Sequence, residues 1–257
     1  MTTAATTETS AITETAALQD RLDFYWSGRA AEYHAHQVSG ARAAIDRELW
    51  ASVFATALDG CGREGSGALD ILDVGTGSGY LASLLADAGH RVTGVDHSPG
   101  MVSAAQAAHP DLRVLIGDAH APGILASSLD AVVNRYVLWT LPDPVAAARA
   151  WRTLLRPGGT VVAVDATWFP HGVDPAMKVP SADGEDAFVR TYDPATLGAL
   201  PLGTAASMED FAEVFLVAGF TDVIVKPLPQ VAELDLRFGV APGHESRPHF
   251  VVTARCP

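Results

Sequence analysis

The sequence predicts an α/β fold, a doubly wound parallel sheet flanked by helices and preceded by a helical segment. Three observations carry that prediction. Short apolar runs alternate with helical patterns from residue 69 to residue 165, the arrangement of a parallel sheet with crossover helices. The first run, Leu69–Val74, opens into a loop with glycine at 75, 77 and 79, and a helical stretch starts at Tyr80. The chain has 257 residues, 48% hydrophobic and 18% charged, enough for one such domain with elaborations but not for two.

Taken in order, residues 1–17 are rich in Thr, Ala and Glu and are expected to form a disordered tail. They lack the basic and apolar regions of a signal peptide. Leu18, Leu22, Tyr25 and Trp26, then Ile45, Leu49, Val53 and Phe54, recur at helical spacing. With the Gly-rich stretch that ends at Gly67, residues 18–67 read as a helical cap and linker. The main domain is 68–257.

In that domain Leu69–Val74 is a strand, and its helix runs to Ala88 and stops at Gly89. Arg91–Val95 is the second strand, ending in Asp96. Ser98 and Pro99 then stand as cap and first residue of a helix. Strands Leu112–Ile116 and Leu129–Asn134 follow. A helix begins at Asp143 and Pro144, runs to Leu155 and is closed by Pro157-Gly158-Gly159. Thr160–Asp165, Thr221–Lys226 and Phe250–Ala254 complete the strands, with a helix at Met208–Ala218. Residues 166–206 and 228–247 interrupt the alternation and read as substrate-cap insertions.

The glycine loop bears on function. A dinucleotide fingerprint needs Gly-x-Gly-x-x-Gly, whose third glycine would fall at Tyr80. The spacing here is Gly-x-Gly-x-Gly, with Asp73 two residues ahead. A carboxylate there opposes a pyrophosphate and suits a cofactor with a cationic amino group. Asp73-Val74-Gly75-Thr76-Gly77-Ser78-Gly79 resembles the first motif of the class I S-adenosylmethionine (SAM)-dependent methyltransferases. Another nucleotide-binding type, such as an NAD-dependent oxidoreductase, stands as the remote alternative.

The resemblance covers roughly residues 69–165. It implies a Rossmann-like seven-stranded sheet of order 3-2-1-4-5-7-6 with strand 7 antiparallel. It also implies SAM as cofactor and S-adenosylhomocysteine as product. Asp73, Gly75, Thr76 and Gly77 would hold the loop end of the cofactor, and Asp96 the ribose hydroxyls. His97 and Met101 would flank the adenine, and Gly117, Asp118 and Ala119 would take its edge. Asn134 would reach the methionine part. The run Tyr136–Pro144 resembles the Leu-Trp-x-Leu-Pro-Asp-Pro run of small-molecule methyltransferases. Trp26–Tyr33 resembles the family's Trp-x-x-Arg-Ala-x-x-Tyr preface, in which Arg29 and Tyr33 would close over the cofactor carboxylate.

A sulfonium carries an already activated methyl group, so the protein has mainly to align a nucleophile and exclude water. Where a proton must leave, a base helps. His34, beside Tyr33, is the first candidate, with Tyr33 and His171 next; His36, His244, His249 and the Tyr192 hydroxyl follow. Tyr25, Arg135, Trp139, Trp168, Phe169, Tyr192 and His244 are expected around the acceptor, since aromatic walls suit a flat or cationic molecule. The expected reaction is in-line methyl transfer to a nitrogen or carbon of a small aromatic or amine-bearing metabolite. The alternatives are O-methylation, a SAM-binding enzyme of the cyclase type, and a non-catalytic binding module.

The formal charge of −13, with 17 basic residues scattered along the chain, speaks against nucleic acid or an acidic membrane as partner. No apolar run is long enough to cross a bilayer. Cys61 and Cys256 lack partners at metal spacing, so the expectation is free thiols, no metal site and a cytoplasmic protein, monomer or homodimer.

Overall fold

A computed structural model describes residues 2–62, 67–174, 187–240 and 246–257. Two helices lead, α1 (Thr2–Val38) and α2 (Gly40–Ala57), and the alternating core follows. It comprises β1 (Asp70–Val74), α3 (Tyr80–Asp87), β2 (Arg91–Asp96), α4 (Pro99–Ala108), β3 (Arg113–Ile116), β4 (Leu129–Arg135), α5 (Pro144–Leu154) and β5 (Leu155–Ala166). Short helices α6 (Ala187–Thr191) and α7 (Pro194–Gly198) precede α8 (Met208–Val217) and β6 (Thr221–Pro227); α9 (Pro229–Phe238) and β7 (His249–Arg255) close the chain.

The seven strands lie in the order β3-β2-β1-β4-β5-β7-β6, as the resemblance implied. β1 to β5 are mutually parallel, with Asp73 opposite Gly94 and Leu72 opposite Val132, while β7 runs antiparallel between β5 and β6. The order reverses between β1 and β4, and the crevice beyond their C-terminal ends is where open α/β sheets hold ligands. Side chains of successive strand residues alternate between two apolar layers. Ile71, Ala131, Val133 and Val162 pack under Trp50, Phe54, Leu81 and Leu84 of α2 and α3. Leu72, Val132, Val161 and Ala163 share the opposite layer with Trp151, Phe211 and Phe215 of α5 and α8.

Several elements differ from the sequence reading. The expected tail 1–17 falls largely within α1, since Ala and Glu favour helix. Pro157-Gly158-Gly159 does not end a helix but lies inside β5, where the register to β4 shifts between Leu129 and Ala131. Gly158 has φ 76°, and a Cβ on Gly159 would meet the Arg156 carbonyl at 2.9 Å. These residues form an irregularity in a strand. α6, α7 and α9 occupy stretches expected as irregular insertions.

The helix starts are as read. Ser98 accepts from the Met101 N–H at the head of α4, and Asp143 from the Ala146 N–H at the head of α5, caps worth about 1 kcal/mol each. α1 is fastened to α4 at the same place. Ser27 Oγ lies 2.8 Å from Ser98 Oγ and accepts from the Gly100 N–H at 3.2 Å. A Cβ on Gly100 would stand 2.6 Å from the Ser27 Cα, so glycine is what lets the two backbones touch. Among the described residues no helix is long and apolar enough to cross a membrane.

Candidate functional site

The loop after β1 turns back through positive φ at Gly75 (64°) and Gly77 (56°), which glycine adopts at little cost. The two positions differ in surroundings. A Cβ on Gly75 would collide with the Val137 side chain, whereas one on Gly77 would find, among the described residues, only the Met101 sulfur, at 3.9 Å. Gly75 is therefore required by packing, and Gly77 leaves backbone open to a cavity.

Asp96, at the end of β2, is pinned from two sides: Oδ2 accepts from the Gly77 N–H at 2.8 Å and Oδ1 from the Ser98 N–H at 2.9 Å. Burial raises its pKa, and these two N–H groups work against that rise. Asp73 sits elsewhere than expected. It is buried beneath the loop and accepts from the Thr76 hydroxyl at 2.7 Å, with burial pushing its pKa up to about 7. Thr76 is itself buried, and its N–H donates to Val95 O at 3.0 Å. Asp73 and Thr76 thus hold the loop's shape and do not line the cavity.

That cavity gathers residues from four strand ends. Gly75 and Gly77 meet Asp96, His97 and Met101, then Gly117, Asp118, Ala119 and His120, then Arg135, Tyr136 and Trp139. α1 closes it with Asp23, Trp26 and Tyr33, and Asp23 is hydrogen-bonded to His97 Nδ1. Burial raises the Asp118 pKa, but the His120 backbone N–H at 2.8 Å and imidazole at 2.9 Å outweigh it, so the carboxyl ionises below its usual range. His120, absent from the sequence candidates, also donates from Nε2 to the Asp143 carbonyl at 3.0 Å and so ties this corner to α5.

A second cavity adjoins the first and shares Tyr33, Arg135, Tyr136 and Trp168 with it. The Arg135 guanidinium stands over three rings, at 5.1 Å from Trp50, 5.0 Å from Tyr80 and 4.9 Å from Tyr136. Tyr136 has φ 67°, a strained left-handed conformation for a bulky residue, at the divide between the two spaces. Buried Asp165 orients the tryptophans, accepting from Trp168 Nε1 at 2.7 Å and from the Trp139 N–H at 3.3 Å.

Other sequence candidates are not brought together. Arg29 pairs with Glu32 at 3.4 Å and lies over the Tyr25 ring, away from both cavities. Tyr25 and Tyr192 are core residues, and the Tyr192 hydroxyl accepts from Trp26 Nε1 at 3.0 Å. His34 Nδ1 is bonded to Ser78 Oγ at 3.1 Å and its ring faces His109, so it lines neither cavity. His171 is exposed and apart from them. His244 lies outside the described residues. Asn134 is buried in β4, and among the described residues neither polar atom of its amide has a partner. His36 and His249 do face the second cavity. Among the described residues no three His, Cys, Asp or Glu side chains cluster to hold a metal.

The sequence profile of a methyltransferase domain family matches residues 72–163. A ubiquinone biosynthesis O-methyltransferase of Xanthomonas campestris pv. campestris is 38% identical over 100 residues, 35% of this chain and 40% of that protein. A demethylmenaquinone methyltransferase of Renibacterium salmoninarum is 33% identical over 95 residues, 37% of this chain and 40% of its own length. The chain thus spans about two fifths of the length of these curated relatives. A SAM-dependent methyltransferase structure from Mesorhizobium loti superposes with a TM-score of 0.53 at 23% identity, over 74% of this chain and 91% of that one, which shows a shared fold.

Proposed function

This chain carries a class I SAM-dependent methyltransferase domain, and from that premise we propose that it methylates a small, ring-bearing acceptor. The observation that carries the reading is the convergence of Gly77, Asp96, Met101 and Asp118 on one cavity roofed by α1. The cofactor's fit is supported by the open side of Gly77 and by the pinned Asp96 carboxylate, each of whose oxygens keeps a further lone pair. When bound, SAM supplies an electrophilic methyl group on a sulfonium.

The chain's own residues do the rest. Asp96 would accept from the ribose hydroxyls, Asp118 and the Ala119 N–H would take the adenine edge, and His97 and Met101 would flank the ring; all five line the cavity. Tyr33, lining the cavity from α1, would close over the amino-acid end. Trp139 and Trp168 bound the side where an acceptor is aligned and water is excluded. Their flat faces support a ring-bearing acceptor, as do the quinone-pathway names of the two relatives. Nitrogen, carbon and oxygen acceptors differ in whether a proton must leave first, so the choice among them turns on a base near those tryptophans.

Incubation with SAM and a panel of phenols, aryl amines and indoles, read by mass spectrometry, tests the reading. The expected product is one ring compound heavier by a single methyl group, with S-adenosylhomocysteine formed in equal amount. Failure to bind S-adenosylhomocysteine at all would contradict it.

A further inference from the structure

The second cavity holds groups that the methyl-donor site leaves unused. His249 on β7 places Nδ1 2.8 Å from the Arg247 carbonyl oxygen. A carbonyl only accepts, so Nδ1 carries the hydrogen and Nε2 keeps its lone pair in the neutral ring. Burial lowers the His249 pKa, which keeps that neutral form at pH 7. The ring packs edge-on against Tyr136 (5.4 Å between centroids) and Trp168 (5.6 Å), two residues shared by both cavities.

The charges around it are divided unevenly. Arg42 of α2 holds Asp46 at 2.7 Å and Asp235 of α9 at 2.8 Å. Arg135, on the divide, has no carboxylate at ion-pair distance among the described residues; it stands over three aromatic faces, and Asp46 and Asp73 act on it only at longer range. The Tyr80 hydroxyl, also on this wall, is buried without a hydrogen-bond partner among the described residues. Asp46 and Asp235 are both taken up by Arg42, so a protonated amine would meet in Arg135 a guanidinium with no direct ion-pair partner among the described residues, whereas an oxyanion would gain from it.

We propose that this second cavity is the acceptor subsite, that it takes a phenol-class hydroxyl compound, and that His249 Nε2 removes the hydroxyl proton while Arg135 faces the resulting oxyanion. This rests on the methyltransferase reading above. In the step, the acceptor O–H bond breaks, its electron pair stays on oxygen, and the proton passes to Nε2 to give an imidazolium. The oxygen then bonds the methyl carbon with a lone pair while the carbon–sulfur bond breaks and leaves its pair on sulfur. The imidazolium returns its proton to solvent. The groups facing His249 bear on its titration in both directions: Asp235 raises its pKa, Arg135 and Arg42 lower it, and His36, Asp46 and Tyr33 line the same space.

The test uses 4-nitrophenol, whose phenolate is coloured, added to the full chain saturated with S-adenosylhomocysteine. The bound probe is expected to ionise about one unit below the free probe, a tenfold change in proton affinity. His249→Asn, which keeps a donor toward the Arg247 carbonyl but lacks Nε2, should lose that shift while binding S-adenosylhomocysteine as the wild type does. Arg135→Met should lose it also. In wild-type protein with 15N-labelled histidine, probe addition should turn one neutral imidazole into the doubly protonated form, a readout that needs no variant. An unshifted probe, an equal shift in His249→Asn, or no change in any imidazole would overturn the proposal and leave the methyltransferase reading standing. Absence of S-adenosylhomocysteine binding would overturn both.

Discussion

Buried carboxylates in this molecule divide by what each accepts. Asp96 takes two backbone N–H groups and keeps lone pairs toward a cavity, so Asp96→Ala should weaken SAM binding by about 1–3 kcal/mol in calorimetry. Asp165 takes indole and backbone donors inside the core, and burial pushes its pKa up to about 7 against 3.8 in the unfolded chain. The folded state therefore holds the proton more tightly, and stability falls as pH rises from about 4 to about 7, then levels off. Asp165→Asn should remove that part of the slope. Urea unfolding from pH 4 to 8 would show the wild type losing ground to the variant inside this window, and a constant difference would contradict it. Asp96 and Asp118 were placed by the family motifs they resemble, and both line the first cavity. Asp73 was not legible, because its motif fixes its spacing but not which way its side chain turns. His120 and His249 carry no spacing signal, and only tertiary contacts bring them to cavities.

At the scale of elements, the docking of α1 on α4 depends on one missing side chain. Gly100→Ala would push a Cβ to 2.6 Å from the Ser27 backbone, which cannot swing aside. We expect a loss of about 1–3 kcal/mol in stability and weaker S-adenosylhomocysteine binding, because α1 roofs the cavity. Gly28→Ala is the matched control: among the described residues nothing lies within 4 Å of the added Cβ, the site is inside α1, and a gain of about 0.5–1 kcal/mol is expected. Equal effects from the two variants, measured by denaturant unfolding, would show the docking to be unimportant. The strands of the core were readable from their apolar runs and the helix starts from Ser98-Pro99 and Asp143-Pro144. The path of β5 through Pro157-Gly158-Gly159 was not, since those residues terminate helices and shape strand irregularities alike.

Across the whole molecule, one sheet positions two adjoining cavities, with Tyr33, Arg135, Tyr136 and Trp168 between them. Binding in the first cavity should stabilise the entire fold. S-adenosylhomocysteine at a hundred times its Kd should add about 2.7 kcal/mol, raising Tm by roughly 5–10 °C in a chain of this size. The sheet order followed from a motif resemblance over about residues 69–165, while the second cavity draws on α1, α2, α9 and β7, of which only α1 matched a motif, at Trp26–Tyr33. The most direct test of the account is a calorimetric titration of the full chain with S-adenosylhomocysteine and, separately, with NAD. The account predicts one molecule of S-adenosylhomocysteine bound per chain, weakened in Asp96→Ala, and no heat from NAD. Binding of NAD with none of S-adenosylhomocysteine would contradict it.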